Sequence, residues 1–485
     1  MSRRDSIDAR VAAQLDPNEA SDVRGAMRME GARGPLSLRG NFSWTFCGSA
    51  LYSASSWAML AVIAKLGTRE MVGEYALGLA VAQPVMVLSQ LHLRAVQATD
   101  SRRQFAFGDY LALRLLTTSL AILVIGAIAW LAGYRGETAL VIVVSGVSIG
   151  FDAMSDVFYG LLQQHERMDR IAISMAGKGV LSLAGLSLGL WASGSVLGAA
   201  IGSAVASAIV LAAYDLPSAG WLGRVCETVA TAGGPGDTGA TRGGAAPVPS
   251  VRLLWHARAL GRLAWLALPM GVTTALNSLG VNLTRYLIVA FLGEAELGVF
   301  AAAASLLGIG RTFVGALGQA ASPRLARDFA TGRRREFRFD LLRLVLLAAG
   351  LGVAGLVASG LAGGPILSLL FRPEYARHTD VFVWLMAAGL ATYLTSALGI
   401  GLTAARRFRI QVPLAASAIV ASALAGWWLI PVAGLRGAAW SAFLAAAAQL
   451  VCVVVATLPV VRFGDRRDAK PSAPATRRWP AQEVA

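Results

Sequence analysis

The chain has 485 residues, of which 56% are hydrophobic and only 15% charged, and its net charge is +15. This composition excludes a string of ordinary soluble domains, because a soluble surface needs more charged residues. Apolar runs of about 20 residues recur along the chain, and a helix of that length spans the roughly 30 Å hydrocarbon core of a bilayer. The sequence therefore predicts a polytopic membrane protein.

The apolar windows predict an all-α fold with twelve transmembrane helices. Helices are favoured over a barrel because the short alternating strands of a barrel are missing from the sequence, whereas an α-helix satisfies its own backbone hydrogen bonds in lipid. The predicted spans are 42–64, 72–93, 109–132, 139–162, 171–192, 195–214, 264–292, 296–320, 341–363, 380–403, 410–431 and 435–459.

Lys and Arg are distributed unequally between the loops. With a cytoplasmic N-terminus, the inside segments carry 31 of the 43 Lys and Arg residues and the outside segments carry 6. Cationic loops are retained on the cytoplasmic side, so both termini are predicted to be cytoplasmic. Because the positive charge lies in loops and tails between apolar runs, membrane lipids are the predicted partner and nucleic acid is not.

A Gly-, Pro- and Thr-rich stretch divides the spans into six and six. It contains TAGGPGDTGATRGGAAPVP, which is typical of a flexible linker and lacks the Gly-Lys-Ser/Thr ending of a nucleotide-binding loop. The predicted organisation is a cytoplasmic tail (1–40), a six-helix bundle (41–214), a cytoplasmic linker (215–260), a second six-helix bundle (261–460) and a cytoplasmic tail (461–485).

A short internal repeat supports this division. KLGTREMVGEYALG follows the first predicted span and FLGEAELGVFAAA ends the seventh, and six positions match after one gap. Each half has an even number of spans, so both halves would run in the same direction through the membrane. The repeat predicts two bundles related by an axis along the membrane normal, around a central cavity.

Polar residues in the first half form one stripe along the fourth predicted span. They recur every three or four residues and so share a helical face, which cannot face lipid: Ser145, Ser148, Asp152, Asp156, Tyr159 and Gln163. Lys178 of the fifth span lies at a depth similar to that of Asp156. Two interpretations stay open: a buried Asp156–Lys178 ion pair, or a hydrophilic cavity wall in which Asp152 is free to take a proton.

The second half places two arginines inside predicted spans. Arg285 follows Asn277 and Asn282 in LNSLGVNLTRYLIV, and Arg311 shares a small-residue face with Gln319 in LLGIGRTFVGALGQ. Guanidinium groups stay charged and bind phosphate oxygens with paired hydrogen bonds, so these arginines suit an anionic head group in a cavity. The alternative for Arg285 is that it snorkels to the interface.

Other charged or metal-binding candidates are weaker. Arg94 and Arg114 are predicted to be interface anchors near the cytoplasmic ends of their spans. Histidines and cysteines show no paired ligand spacing, so neither a metal site nor a cofactor is predicted.

Several stretches resemble the Wzx-like polysaccharide flippases of the multidrug/oligosaccharidyl-lipid/polysaccharide exporter superfamily. They are KLGTREMVGEYALGLAVAQPV, FGDYLALRLLT, SDVFYGLLQQHERMDRIAIS, LPMGVTTALNSLGVNLTRYLIVAFLGEAELGVFAAAASL, SPRLARDFA and LLFRPEYA. The resemblance runs from about residue 41 to 460 and rests on order, span count and several loose patterns. Asp156 of SDVFYG and Arg285 of NLTRY lie in matching stretches.

The resemblance implies alternating access through a central cationic cavity in the bacterial inner membrane. The implied cargo is a polyprenyl-diphosphate-linked oligosaccharide, moved to the periplasmic leaflet for polysaccharide or lipopolysaccharide biosynthesis, with a polysaccharide polymerase and glycosyltransferases as candidate partners. The predicted cavity residues are Arg311, Arg285, Lys178, Asp152, Asp156, Asn277, Asn282 and Gln319.

Two other classes of protein remain as alternatives. An ion-coupled multidrug antiporter of the same superfamily would prefer an anionic, aromatic cavity for cationic cargo, whereas the embedded charges here lean positive. A membrane enzyme or channel is the other alternative, but an enzyme such as a polymerase usually exposes a large outer catalytic loop, and every outer loop predicted here is short.

Overall fold

A computed structural model describes residues 38–100, 104–165, 167–220, 255–405 and 407–462. These residues are helical and contain no strand. Within this described part of the chain, eleven helices are long and apolar enough to cross a membrane. The last of these is two spans joined at Gly434, where a φ of +58° interrupts the helix. The described chain therefore confirms the all-α, multi-pass prediction, with twelve spans.

The α-helices overlap the predicted spans and extend beyond several of them, with one short additional α-helix and a 3₁₀ helix at Pro373–His378. In chain order they are α1 (Leu38–Leu66), α2 (Arg69–Gln90), α3 (Leu93–Thr99), α4 (Phe107–Leu131), α5 (Gly136–Gln164), α6 (Met168–Ser193), α7 (Val196–Val210), α8 (Ala257–Leu292), α9 (Glu294–Ala330), α10 (Arg334–Leu370), α11 (Thr379–Ala404) and α12 (Phe408–Arg462).

The predicted linker is helical at both of its ends. A π turn at Leu211–Asp215 extends α7, and the helix continues to residue 220. At the other end α8 begins at Ala257. The prediction that residues 215–260 are all linker is therefore wrong at its borders. The remainder, 221–254, and most of the two predicted tails, 1–37 and 463–485, lie outside the described residues.

Specific residues mark where several of the helices begin and end. Thr68 caps α2 by accepting a hydrogen bond from the Met71 backbone N–H at 3.3 Å. Leu91 and His92 adopt left-handed conformations that separate α2 from α3. Gly293, with a φ of +93°, separates α8 from α9, a conformation that a residue with a side chain rarely adopts.

The helices pack as two groups that meet along α2, α8 and α9. In the first group α1 packs on α6, α6 on α7, and α5 on α2, α4 and α7. In the second group α12 packs on α8 and α11, and α11 also contacts α9 and α10. The main contacts between the groups are those of α2 with α8 and α9 and of α1 with α9.

The apolar core differs between the two ends of the molecule. At the end where α2 and α9 begin, called here the repeat end, one core joins both halves, including Ile63 and Val72 with Leu297 and Phe371. At the opposite end, called here the linker end, there are two separate cores. One consists of first-half residues with the first turns of α8, and the other consists only of second-half residues.

Candidate functional site

Embedded charges form two separate groups, one in each half. In the first half, α5 contributes Asp152 and Asp156 one helical turn apart, α6 contributes Lys178 and the π turn after α7 contributes Asp215. All of these charged groups lie on helix faces that point into the bundle. A charge that faced lipid instead would be costly. The partners of these charges distinguish a structural role from a ligand-binding role.

Lys178 lies between two carboxylates. Its Nζ is 3.1 Å from Asp152 Oδ1 and 3.8 Å from Asp215 Oδ2, and its side chain is 3% exposed. Tyr52 donates a hydrogen bond to the other oxygen of Asp152, and Ser174 donates one to Asp215. The lysine is thus neutralised inside the bundle, which favours the structural interpretation of this residue.

Asp156 lies between two arginines at the linker end of the same bundle. It is 3.2 Å from a guanidinium nitrogen of Arg114 and 3.4 Å from one of Arg94. Arg94 also donates to Gln163, and Arg114 is completely buried. The predicted Asp156–Lys178 pair is therefore wrong, because Lys178 meets the aspartate one turn earlier. Arg114 is not an interface anchor either, because it lies inside the bundle.

These residues form a network in which charges of opposite sign balance. Three cations face three carboxylates, and the Tyr159 ring lies between the two clusters, 5.8 Å from Lys178 Nζ and 5.5 Å from the Arg94 guanidinium. Asp152 and Asp156 stay partly open, with side chains 29% and 26% exposed. A balanced network of this kind has little attraction left for an ionic ligand.

The second half contains a cavity of about 390 Å³. Helices α8, α9, α11 and both parts of α12 form its wall, so all of its lining residues belong to the second half. The lining residues are Asn277, Gly280, Val281, Thr284, Arg285, Phe300, Ala304, Ser305, Leu307, Gly308, Arg311, Leu385, Ala388, Thr392, Ala418, Ile419, Ser422, Ala442, Ala445, Ala446 and Gln449.

Two guanidinium groups share this cavity without a carboxylate. Arg285 donates to Asn282 Oδ1 at 3.1 Å, and Asn282 in turn donates to the Ser278 carbonyl. Among the described residues, neither Arg285 nor Arg311 forms an ion pair, and no Asp or Glu lines the cavity. The two positive charges lie on neighbouring helices in a largely apolar cavity. They provide strong attraction for an anion that carries several oxygens.

The structure brings together only some of the predicted cavity residues. Arg285, Arg311 and Asn277 line the cavity, and buried Asn282 holds Arg285 in place. Lys178, Asp152 and Asp156 lie in the first-half network instead. The side chain of Gln319 lies outside the described residues.

Sequence reasoning missed several polar residues. Asp215 was placed in the linker because glycine-rich sequence follows it, yet it is fully buried beside Lys178. Gln449 lines the cavity, and its position as a lone polar residue within AAAAQLV was a usable signal. Thr284 and Ser422, whose hydroxyls are 3.1 Å apart, complete the polar part of the wall.

Comparison with known proteins begins with sequence. No protein-family model matches the chain. Over 402 residues, which cover 82% of this chain and 94% of the relative, the chain is 22% identical to a Staphylococcus aureus protein described as capsular polysaccharide biosynthesis protein CapF.

Among the described residues, no three His, Cys, Asp or Glu side chains are grouped so that they could hold a metal ion.

Solved transporters share the fold at low identity. The lipid II flippase MurJ in an inward closed conformation matches with a TM-score of 0.64 and 11% identity, covering 87% of this chain and 89% of MurJ. A mutant of the Vibrio cholerae MATE transporter VcmN matches at 0.56 with 14% identity, covering 87% and 95%. A Pyrococcus furiosus transporter of the MOP superfamily, whose binding pocket is described as having reversed polarity, matches at 0.58 with 13% identity, covering 88% and 95%.

Proposed function

We propose that this chain, which has the fold of the multidrug/oligosaccharidyl-lipid/polysaccharide exporter superfamily, is a flippase for a polyprenyl-diphosphate-linked oligosaccharide. The cargo moves from the cytoplasmic to the periplasmic leaflet of the bacterial inner membrane, for polysaccharide or lipopolysaccharide biosynthesis. The observation that carries the proposal is the cavity in which Arg285 and Arg311 have no carboxylate partner among the described residues.

The chemistry of the cavity suits this cargo. The diphosphate carries several anionic oxygens that two guanidinium groups can bind, while hydroxyl and amide side chains such as Ser305, Thr392 and Gln449 can bind sugar hydroxyls. The prenyl tail can stay in lipid, but the diphosphate and the glycan cannot cross hydrocarbon unaided. The names of the CapF relative and of the MurJ neighbour, a polysaccharide biosynthesis protein and a lipid II flippase, support the same class of cargo.

The charge of the cavity distinguishes the flippase from the multidrug antiporter. A cationic drug would need an anionic or aromatic site. Of the described residues that line the cavity, Phe300 alone is aromatic, and the two that carry charge are arginines. The MATE neighbours support the antiporter through their fold alone.

The proposal also covers the orientation of the protein in the membrane, its non-enzymatic role and its partner proteins. The excess of Lys and Arg in the predicted inside loops supports cytoplasmic termini, and with that orientation the linker end would face the cytoplasm. A non-enzymatic role is supported by the transporter fold. A polysaccharide polymerase and glycosyltransferases are proposed as partners because they would consume and supply such a cargo.

Transport by purified protein tests this function. In proteoliposomes, wild-type protein is expected to flip a fluorescent lipid-linked sugar, and Arg311→Gln is expected to lower the rate at least about tenfold. The reason is that a hydrogen bond to a charged group contributes about 1.5–3 kcal/mol, and each 1.4 kcal/mol is a factor of ten.

The matched control is Arg343→Gln. It removes one positive charge from the same half, on an exposed side chain of α10 outside the cavity. This variant should keep the wild-type rate. A wild-type rate for Arg311→Gln would remove Arg311 from the mechanism, and drug efflux without flipping of the lipid-linked sugar would favour the antiporter.

A further inference from the structure

Arginines are concentrated at the corner where α9 ends and α10 begins, at the linker end of the second half. Seven of them lie between residues 324 and 343, together with three acidic residues. Two of the acidic residues are already paired at this corner: Asp328 lies 2.8 Å from Arg333, and Asp340 lies 2.8 Å from Arg324. The corner therefore carries surplus positive charge.

Arg335 and Arg338 place part of this surplus charge on one face of α10. Both side chains are exposed, and among the described residues neither forms an ion pair or a hydrogen bond. They are three residues apart and so are neighbours on the helix surface, whereas Glu336 directly follows Arg335 and points to a different side. Two neighbouring guanidinium groups can together bind the oxygens of one phosphate group.

The same face of α10 continues as an apolar surface. Phe339, Leu342 and Leu346 follow the two arginines at helical spacing, and their side chains are 53%, 54% and 60% exposed. Together with Arg335 and Arg338 they are called here the outer stripe. It has a charged part at the linker end and an apolar part that extends towards the repeat end.

The opposite face of α10 is buried in the protein. Phe337, Leu341 and Leu344 are at most 4% exposed and belong to the apolar core of the second half. The described part of the chain therefore leaves the outer stripe uncovered. In a bilayer, an apolar helix face of this kind lies against lipid.

The length of the exposed apolar surface sets the depth of the two arginines. Exposed apolar side chains on α10 run from Phe339 to Leu361, a distance of about 33 Å at 1.5 Å of rise per residue. This length matches the roughly 30 Å hydrocarbon core of a bilayer. Arg335 and Arg338 lie just beyond that run, at the level of the lipid head groups.

We propose that the outer stripe is a binding site for an anionic phospholipid. Arg335 and Arg338 bind its phosphate, and Phe339, Leu342 and Leu346 contact one of its acyl chains. The two positive charges favour a head group with a net negative charge, such as that of phosphatidylglycerol. In a zwitterionic head group an ammonium group offsets the phosphate, so the attraction is weaker.

This site is distinct from the transport cavity. Among the described residues, none of those that line the cavity belongs to α10. Lipid binding at the outer stripe can therefore be measured without transport, and its failure would leave the proposed transport function untouched.

Lipid binding to purified, delipidated protein tests the site. Native mass spectrometry would follow binding of the first molecule of phosphatidylglycerol or of phosphatidylcholine with the same acyl chains. Wild-type protein is expected to prefer phosphatidylglycerol roughly thirtyfold, which corresponds to about 1 kcal/mol for each of the two arginines. Arg335→Gln/Arg338→Gln should bind both lipids equally.

The matched control is Arg135→Gln/Arg377→Gln. It also removes two exposed arginines that form no ion pair among the described residues, but these lie at the repeat end. This variant should keep the wild-type preference for phosphatidylglycerol. Equal losses in the two double variants, or the lack of a preference in the wild type, would overturn the proposal.

A photoreactive lipid would locate the bound acyl chain. Phosphatidylglycerol with a diazirine in one acyl chain should label α10 between Phe339 and Leu346, and this labelling should fall at least threefold in Arg335→Gln/Arg338→Gln. Soluble glycerol phosphate, which has the phosphate but no acyl chain, should not compete at the concentration that saturates the site with lipid. Labelling confined to other helices, or competition by glycerol phosphate, would contradict a lipid site on the outer stripe.

Discussion

The two halves of this molecule treat embedded positive charge in opposite ways. In the first half, Lys178, Arg94 and Arg114 each contact a carboxylate within 3.4 Å. In the second half, Arg285 and Arg311 share a cavity that no carboxylate of the described chain lines. In this protein, an embedded charge therefore marks a candidate binding site where its described neighbours leave it without a counter-ion.

Paired and unpaired embedded charges contribute differently to stability and to binding. A buried charge that is paired and hydrogen-bonded is stable where it is, and removing one partner is strongly destabilising. An arginine without a counter-ion keeps its attraction for an anionic ligand, and the half-apolar cavity wall strengthens that attraction relative to water. We therefore expect the first-half network to act on stability and the second-half arginines to act on binding.

Removing Lys178 should have the largest effect on stability. Lys178→Met leaves Asp152 and buried Asp215 facing each other without a cation, so we expect the free energy of unfolding to fall by about 3 kcal/mol. Thermal unfolding in detergent would measure this. Arg311→Gln should change the free energy of unfolding by no more than about 0.5 kcal/mol, because the Arg311 side chain is exposed.

A charge-balanced variant controls that measurement. Lys178→Met with Asp215→Asn removes one charge of each sign and should recover more than half of the loss. Unchanged stability of the single variant, or no recovery in the double variant, would show that the network does not hold the first half together.

Filling the cavity should have a smaller effect than removing Lys178, and it should change transport but not stability. Gly308 lines the cavity one turn before Arg311, and an added Cβ meets no atom within 4 Å. Gly308→Leu should lower flipping about tenfold by occupying space, yet it should not destabilise the protein, because leucine is favoured over glycine in a helix by about 1 kcal/mol.

Gly315→Leu provides the comparison for this substitution. Gly315 lies on the same helix with equally open space around it, but it does not line the cavity. Its transport rate should equal that of the wild type. Equal losses at Gly308 and Gly315 would indicate an effect on α9 rather than on the cavity.

The sequence predicted the helices better than it predicted the contacts between them. Span positions follow from length and hydropathy, because backbone groups in lipid must be satisfied within a helix. Arg285 and Arg311 line one cavity, and their places on consecutive helices joined at Gly293 are consistent with that.

Side-chain pairing escaped prediction for a geometric reason. Asp152 and Asp156 lie on one face of α5 a turn apart, so sequence spacing could not decide which of them Lys178 contacts. That choice depends on how far α6 slides along α5, which is set by packing of whole helices. Asp215 was missed because the glycine-rich sequence that follows it marked an earlier end for α7 than the structure shows.

The most direct test of the central claim is a comparison of phosphate recognition between the two halves. Binding of farnesyl diphosphate and of farnesol to purified protein would be measured for wild type, for Arg285→Gln/Arg311→Gln and for Arg94→Gln. We predict that wild type and Arg94→Gln prefer the diphosphate at least about tenfold, and that the double variant loses this preference. A preference that survives in the double variant, or that disappears in Arg94→Gln, would contradict the assignment of phosphate binding to the second half.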